Sequence, residues 1–126
     1  MVIIVKDNKF LILIPKCEIY LEYMINVLNK LPKVEKFSIG NNFKNIMYEM
    51  IGNIVYLSKI GNSYRMHYCN LIDSQILIQR IYIRVMYKNR YIDEKKYTQS
   101  INLLDEIGRM LGGYIKSLGI HYEQKN

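Results

Sequence analysis

Apolar residues recur at helical spacing along most of the chain. From Pro15 onward they are spaced by four, three and four residues, which places Tyr20, Met24, Val27 and Leu31 on one face of a helix. This helix should end at Pro32, because the residue before a proline is displaced from helical backbone angles. The polar stretch of residues 33–38 is predicted to be a connection.

A second apolar stripe predicts a second helix, which Ser38 or Asn41 can cap through its side-chain oxygen. The stripe consists of Phe43, Ile46, Met47, Met50, Ile54 and Leu57. Gly61 and Asn62 are predicted to end this helix, since both residue types accept left-handed backbone angles.

Two longer helices are predicted in the second half of the chain. The third begins at Ser63 and runs to about Tyr87 with unbroken apolar periodicity. Residues 88–93 form a turn, and Asp93 then caps a fourth helix, which Gly119 ends. The stripe of this helix advances in steps of four and three residues through Tyr97, Ile101, Leu104, Gly108, Leu111, Ile115 and Leu118.

Four helices with short connections predict an all-α fold, an antiparallel up-down-up-down four-helix bundle, because short loops make sequential helices neighbours. The bundle is a single domain over residues 15–119, since 126 residues can bury one core but not two. Residues 1–14 form an N-terminal extension that stays unassigned, because its pattern fits a small hairpin and an extended lead-in equally well. Residues 120–126 are predicted to be a flexible C-terminal tail.

The chain is basic, with 18 Lys and Arg against 11 Asp and Glu and a formal net charge of +7. Such a charge attracts polyanions, so nucleic acid or an acidic protein surface is the expected partner. The alternative is that the excess lysine only keeps the protein soluble. No signal peptide or membrane span is recognised, so a cytoplasmic protein without a membrane partner is expected.

Candidate catalytic groups do not form a pattern that supports chemistry. Cys17 and Cys69 lack metal-ligand spacing, and His67 is two residues from Cys69, which directs the two side chains to different helix faces. Neither His67 nor His121 has a glutamate three residues before it, as a di-iron bundle requires. No glycine-rich loop follows a strand. The sequence therefore predicts no catalytic residue, metal or cofactor, and a protein that is not an enzyme.

The third helix is apolar on almost every side between Ile76 and Tyr87. Only one stripe of a helix can face the core of a small bundle, so the remaining apolar surface indicates subunit contact in a closed homo-oligomer. The alternative is that side chains such as Tyr82 lie along the surface with their polar ends in water.

Arg80 and Arg84 are four residues apart in this helix and therefore project from one face. Guanidinium groups with apolar neighbours bind phosphate or carboxylate strongly. The alternative is an ion pair within the chain, for which Asp73 is the candidate partner of Arg80.

Three glycines lie within the fourth helix, where each costs about 1 kcal/mol relative to alanine. Gly108 and Gly112 are one turn apart, so close packing of another helix on this face is the predicted reason. A kink at Gly112 and Gly113 is the alternative.

This glycine segment resembles the accessory variability determinant family, small four-helix proteins encoded beside the reverse transcriptase of diversity-generating retroelements. The matching residues are Glu106, Ile107, Gly108, Arg109, Met110, Leu111, Gly112, Gly113, Tyr114, Ile115 and Lys116. They follow the family's order of an acidic residue, an aliphatic, Gly-Arg, two apolar residues, a small pair, an aromatic and a basic residue. The pair Arg80 and Arg84 and the first connection (residues 31–33 and 38–40) also match. Tyr114 stands where the family usually has tryptophan.

The resemblance implies a homopentameric barrel of bundles that binds the reverse transcriptase and nucleic acid, template RNA or its cDNA, in mutagenic retrohoming. The residues expected to bind these partners are Arg65, Arg80, Arg84, Lys88, Arg90, Arg109 and Lys116. One alternative is the related family of four-helix proteins encoded in ribosomal RNA intervening sequences. Another is a structural oligomeric adaptor that binds an acidic protein.

Overall fold

The computed structural model of the protein describes residues 8–117, and side-chain surroundings within residues 12–61 and 63–116. All regular structure in this part of the chain is helical, which confirms the all-α prediction. The elements are α1 (Asn8–Asn29), α2 (Lys33–Glu35), a π-helical segment (Lys36–Gly40), α3 (Asn41–Leu57), α4 (Asn62–Lys88) and α5 (Glu94–Ser117).

The four long helices α1, α3, α4 and α5 form the bundle, and residue pairs across it show that neighbours are antiparallel. Arg80 of α4 pairs with Asp105 of α5, while Tyr87, two turns later in α4, stacks on the earlier Tyr97. Helix α1 packs most extensively against α5, and α3 against α4. The core between them is lined by large, fully buried side chains such as Phe43.

Helix α1 begins at Asn8, one to two turns before the start that was predicted at Pro15. The apolar stripe explains this, because Leu13 is buried four residues before the buried Cys17 and continues the same face. Pro15 lies inside the helix and is exposed. Residues 1–7 and 118–126 lie outside the described residues, so the division into extension, bundle and tail stays a prediction.

Residues 33–38 do connect the first two long helices, as predicted, and the connection is itself helical, because α2 leads through the π-helical segment into α3. Neither Ser38 nor Asn41 caps α3. The Ser38 hydroxyl donates to Glu35 Oε2 at 3.1 Å, and Asn41 Nδ2 donates to the carbonyl of Phe37 at 3.5 Å. Both side chains bond back to the preceding turn, as short polar residues do when a helix continues past them.

The remaining boundaries agree closely with the prediction. Helix α4 differs by one residue at each end from the predicted range, and the Lys96 backbone N–H donates to Asp93 Oδ1 at 2.8 Å, which confirms the Asp93 cap. Helix α3 ends at Leu57, four residues before Gly61. The predicted end of α5 at Gly119 lies beyond the described residues.

Candidate nucleic-acid interface

The antiparallel arrangement brings two connections to the same end of the bundle. Helices α1 and α4 end there, and α3 and α5 begin there. A contact between the connections shows their proximity. Burial raises the pKa of Tyr91, and the Glu35 carboxylate raises it further through its charge and a hydrogen bond. Residues far apart in sequence therefore share one surface.

We call the surface formed by residues 30–44 and 84–97 the basic end. It contains nine basic residues: Lys30, Lys33, Lys36, Lys44, Arg84, Lys88, Arg90, Lys95 and Lys96. It contains three acidic residues: Glu35, Asp93 and Glu94. Nine against three leaves a charge of +6, compared with +7 for the whole chain. The rest of the chain is thus close to neutral, and the positive field is concentrated at one end.

Apart from Arg80, the predicted binding residues divide into three groups in the structure. Arg84, Lys88 and Arg90 lie at the basic end and are exposed. Arg65 lies 23 residues before Lys88 in α4, about 35 Å along the helix axis, toward the opposite end. Arg109 and Lys116 also lie in the half of α5 away from the basic end. The structure therefore does not join the predicted residues into one site.

Sequence reasoning missed six lysines of the basic end: Lys30, Lys33, Lys36, Lys44, Lys95 and Lys96. They occur as two short groups around the first and third connections. Lysines in connections are ordinary surface residues, so the pattern had no evident meaning until the topology placed the two groups together. The signal that could have found them is the common end of the two connections, which an up-down-up-down bundle already implies.

Arg80 lies in the middle of α4 and is held by a neighbouring helix. Its Nη2 atom donates to Asp105 Oδ1 at 2.6 Å, and about a third of the Arg80 side chain remains exposed. The alternative of an ion pair within the chain is therefore observed, with Asp105 as the carboxylate where Asp73 was the candidate. Arg84, one turn later, is exposed.

Two tyrosines stack at the basic end. The ring centroids of Tyr87 and Tyr97 are 4.4 Å apart, with 21° between the ring planes. Shallow depressions of 480 and 640 Å³ adjoin at this pair, and both are lined by Tyr87 and Lys88. Arg84 lines the first and Arg90 the second. The arrangement alternates aromatic and cationic groups over a solvent-open surface.

Arg90 has a backbone conformation that an L-residue adopts at a cost. Its φ angle is 62°, in the left-handed region. The Tyr91 N–H donates to the Met86 carbonyl at 2.8 Å and the Arg90 N–H to the Tyr87 carbonyl at 3.0 Å, the Schellman pattern that normally uses glycine at this position. Left-handed geometry costs a residue with a side chain roughly 1–2 kcal/mol. The chain therefore keeps a cation here although glycine would suit the backbone better.

Gly108 and Gly112 of α5 do not pack closely against another helix of the same chain, so the predicted close helix contact on this face stays a prediction. A Cβ added at Gly108 or Gly112 would meet nothing within 4 Å. Helix α5 continues through Gly108, Gly112 and Gly113 as one element to Ser117. A close contact at these positions has to come from another molecule.

Comparison with known protein families gives a match that includes the glycine segment of α5. A family model described as bAvd-like matches residues 11–118, which is most of the chain. The chain belongs to the bAvd-like family. The match confirms the resemblance noted at residues 106–116, and it begins at residue 11, within α1 and before Pro15. Neither the curated proteins nor the solved structures contain a match to the chain.

The bAvd-like chain exposes an apolar ridge on α4, formed by Leu77, Ile81 and Val85. Leu77 is 50% exposed, and these three residues lie on the side of the helix opposite the buried Ile83. The prediction that α4 is apolar beyond its core-facing stripe is thereby confirmed. A ridge of this kind is typical of contact surfaces.

The thiols of Cys17 and Cys69 in the bAvd-like chain are buried. Burial raises the pKa of the Cys17 thiol to about 12 and that of Cys69 to about 11, and the nearby carboxylates of Glu18 and Asp73 add to these shifts. Within residues 8–117 no group of His, Cys, Asp and Glu is placed to hold a metal ion. No helix in this range is long and apolar enough to cross a membrane.

Proposed function

We propose that this bAvd-like protein is a non-catalytic accessory protein of a diversity-generating retroelement that binds nucleic acid through its basic end. The observation that carries the proposal is the concentration of nearly all net charge on two connections and the adjoining helix ends at one end of the bundle. A field focused in this way attracts a polyanion to one place and orients it there. Template RNA and its cDNA are the nucleic acids that this family role implies.

The reverse transcriptase of the same element is the proposed protein partner. Membership of the bAvd-like family supports this partner, since the family is an accessory one. Co-purification of the two proteins from a cell that expresses both, with and without nuclease treatment, tests it. Binding that survives nuclease indicates a direct protein contact, and loss of the enzyme on nuclease treatment contradicts one.

Matched charge variants test the nucleic-acid proposal. The first variant replaces three exposed lysines of the basic end (Lys30→Gln, Lys33→Gln and Lys95→Gln). The control replaces three exposed cations elsewhere (Lys59→Gln, Arg109→Gln and Lys116→Gln). Both variants lose the same charge, so only position differs. Affinity for RNA is measured as a function of salt concentration, because each lost phosphate contact should reduce the log-log slope by about 0.7 to 0.9.

We expect the basic-end variant to bind RNA more weakly and with a smaller salt slope than the control. Equal losses in both variants contradict a localised site and favour a general effect of net charge. The adaptor alternative predicts another pattern, in which the unmodified protein binds an acidic polypeptide such as polyglutamate and does not bind RNA. A direct comparison of these two ligands at one ionic strength separates the hypotheses.

We further propose that the protein is a homo-oligomer, with a pentamer as the expected form. The Leu77 end of the α4 ridge, which lines neither depression of the basic end, and the open glycine face of α5 support this assembly, since small residues admit a close helix neighbour. Native mass spectrometry at micromolar concentration measures the state. Leu77→Glu should dissociate the oligomer, while Tyr48→Glu, a similarly exposed position on α3, should not. A monomeric unmodified protein contradicts the proposal.

A further inference from the structure

The stacked tyrosines of the basic end form a platform that remains open to solvent. Tyr87 keeps 38% of its surface exposed although its ring lies 4.4 Å from that of Tyr97. One residue comes from α4 and the other from α5, so the bundle itself holds the two rings together. A flat π surface is thus presented in a fixed position and not on a mobile loop.

Cations flank this platform on both sides. Arg84 and Lys88 are three residues before and one residue after Tyr87 in α4, and both line the 480 Å³ depression that Tyr87 and Tyr97 share. Lys88 also lines the 640 Å³ depression beyond Tyr87. Arg90 and Lys96 line it as well, so three cations there outnumber the single carboxylate of Asp93. Both depressions are shallow and open to solvent, as the grooves that hold the backbone of a single strand are.

The geometry points to a binding site for an unpaired nucleic-acid strand, with one base stacked on Tyr87 and the neighbouring phosphates on Arg84, Lys88 and Arg90. Stacking platforms beside cationic grooves are the general means by which proteins bind single strands. A duplex offers its phosphates but keeps its base faces stacked inside, so it can use the cations and not the tyrosine. The inference rests on the proposed function and adds the unpaired strand as the ligand class.

A second tyrosine pair in the molecule provides the contrast. Tyr56 and Tyr68 stack with centroids 6.1 Å apart and 25° between their planes, and Tyr56 is 59% exposed. This pair joins α3 to α4 toward the end of the bundle that is away from the basic end. An exposed tyrosine stack by itself is therefore not the distinguishing feature. The Tyr87–Tyr97 stack differs in lying at the basic end, beside two depressions that Arg84, Lys88 and Arg90 line.

The test uses the full chain and a single-stranded RNA of about ten nucleotides that carries 2-aminopurine, whose fluorescence is quenched by stacking on an aromatic ring. We expect the unmodified protein to quench the probe. Tyr87→Leu should abolish quenching and weaken binding roughly 5- to 150-fold, the value of one base stack, with an unchanged salt slope because no charge is lost. Tyr87→Phe should retain quenching, and Tyr56→Leu should behave as the unmodified protein.

Two further strands define the ligand. A duplex RNA of the same length should bind Tyr87→Leu and the unmodified protein equally. A single-stranded DNA of the same sequence should lose affinity in Tyr87→Leu as RNA does if the platform binds any unpaired base. A loss confined to RNA also supports the platform and additionally assigns a contact to the 2′-hydroxyl.

Several results overturn the inference. Unchanged quenching and affinity in Tyr87→Leu, with RNA still bound by the unmodified protein, refute the platform and leave the proposed function intact. The absence of any nucleic-acid binding refutes both. If circular dichroism shows that Tyr87→Leu does not fold, photo-crosslinking of 5-iodouridine RNA to the unmodified protein decides the question. A crosslink to Tyr87 or Tyr97 supports the site, and crosslinks only to other residues refute it.

Discussion

Arg80 and Asp105 form an ion pair between α4 and α5, with Arg80 Nη2 2.6 Å from Asp105 Oδ1. Arg84 lies one helical turn from Arg80 and is exposed beside the stacked tyrosines. Two arginines that look equivalent in the sequence thus face different surroundings. One connects two helices, and the other belongs to the basic end.

We expect the two arginines to respond differently to replacement by alanine. Arg80→Ala should lower the free energy of unfolding by about 0.5 to 1 kcal/mol, because a partly exposed ion pair contributes little. Arg84→Ala should leave stability within about 0.5 kcal/mol and weaken RNA binding. Urea denaturation and RNA titration of both variants provide the comparison, and Asp105→Ala completes a double-mutant cycle for the pair. Weaker RNA binding by Arg80→Ala, equal to that of Arg84→Ala, would assign Arg80 to the interface instead.

The buried hydrogen bond between Tyr20 and Gln79 should contribute more to the free energy of unfolding than the Arg80–Asp105 ion pair does. The Tyr20 hydroxyl donates to Gln79 Oε1 at 2.8 Å, and both residues are fully buried. Gln79→Leu deprives the Tyr20 hydroxyl of this acceptor, so it should cost about 1 to 3 kcal/mol in thermal or urea unfolding. The double variant Tyr20→Phe with Gln79→Leu should lose less than the sum of the single losses, since no buried partner is then abandoned. Additive losses would show that the hydrogen bond does not couple the two residues.

Replacement of Arg90 by glycine should raise stability and weaken RNA binding. Glycine accepts the left-handed angle of this position, so Arg90→Gly should raise the free energy of unfolding by up to about 1 kcal/mol. The same change removes a cation beside Tyr87 and should reduce the salt slope of RNA binding by about 0.7 to 0.9. Arg90→Gln is the control that removes the charge and keeps the backbone cost. A loss of stability in Arg90→Gly would contradict the assignment of strain to this residue.

Gly112 should reveal whether another molecule packs on α5. Gly112 is exposed, and a Cβ added there meets nothing within 4 Å in the single chain, so Gly112→Leu should retain its helical circular dichroism spectrum. In the proposed oligomer the same side chain occupies a close contact, and overpacking of about 1 to 3 kcal/mol should shift the native mass spectrum toward smaller species. An unchanged oligomer would show that Gly112 lies outside the subunit contact.

The buried thiols should link stability to alkaline pH. Burial raises the pKa of Cys17 from 9.0 to about 12 in the folded chain, whereas the unfolded thiol titrates near its ordinary value. The free energy of unfolding is therefore unaffected by this thiol below about pH 9. It falls as the pH rises from 9 toward about 12, because the unfolded chain loses the thiol proton first. Iodoacetamide at pH 8.5 should modify Cys17 and Cys69 slowly in the native protein and rapidly in urea. Equal rates in both conditions would contradict the burial of these thiols.

The sequence by itself determined the helical class, the four long helices and most of their ends. These follow from local rules, because apolar spacing, the Asp93 cap and the polarity of the turns depend on residues that are near one another in the chain. Local rules predicted the connection that begins at residue 33 but not that it is itself helical. They also left residues 8–14 unassigned, because their pattern fits a hairpin and an extended lead-in equally well, whereas burial of Leu13 continues the helical stripe of α1.

Tertiary structure decided the partners of the charged residues. Spacing could not show that Arg80 meets Asp105, which is 25 residues away, or that Tyr87 stacks on Tyr97. The basic end likewise exists only because the antiparallel topology places two distant lysine groups on one surface. Electrostatic and stacking contacts act through space over a few ångströms, whereas the periodicity of a sequence reports only which face of its own helix a residue occupies.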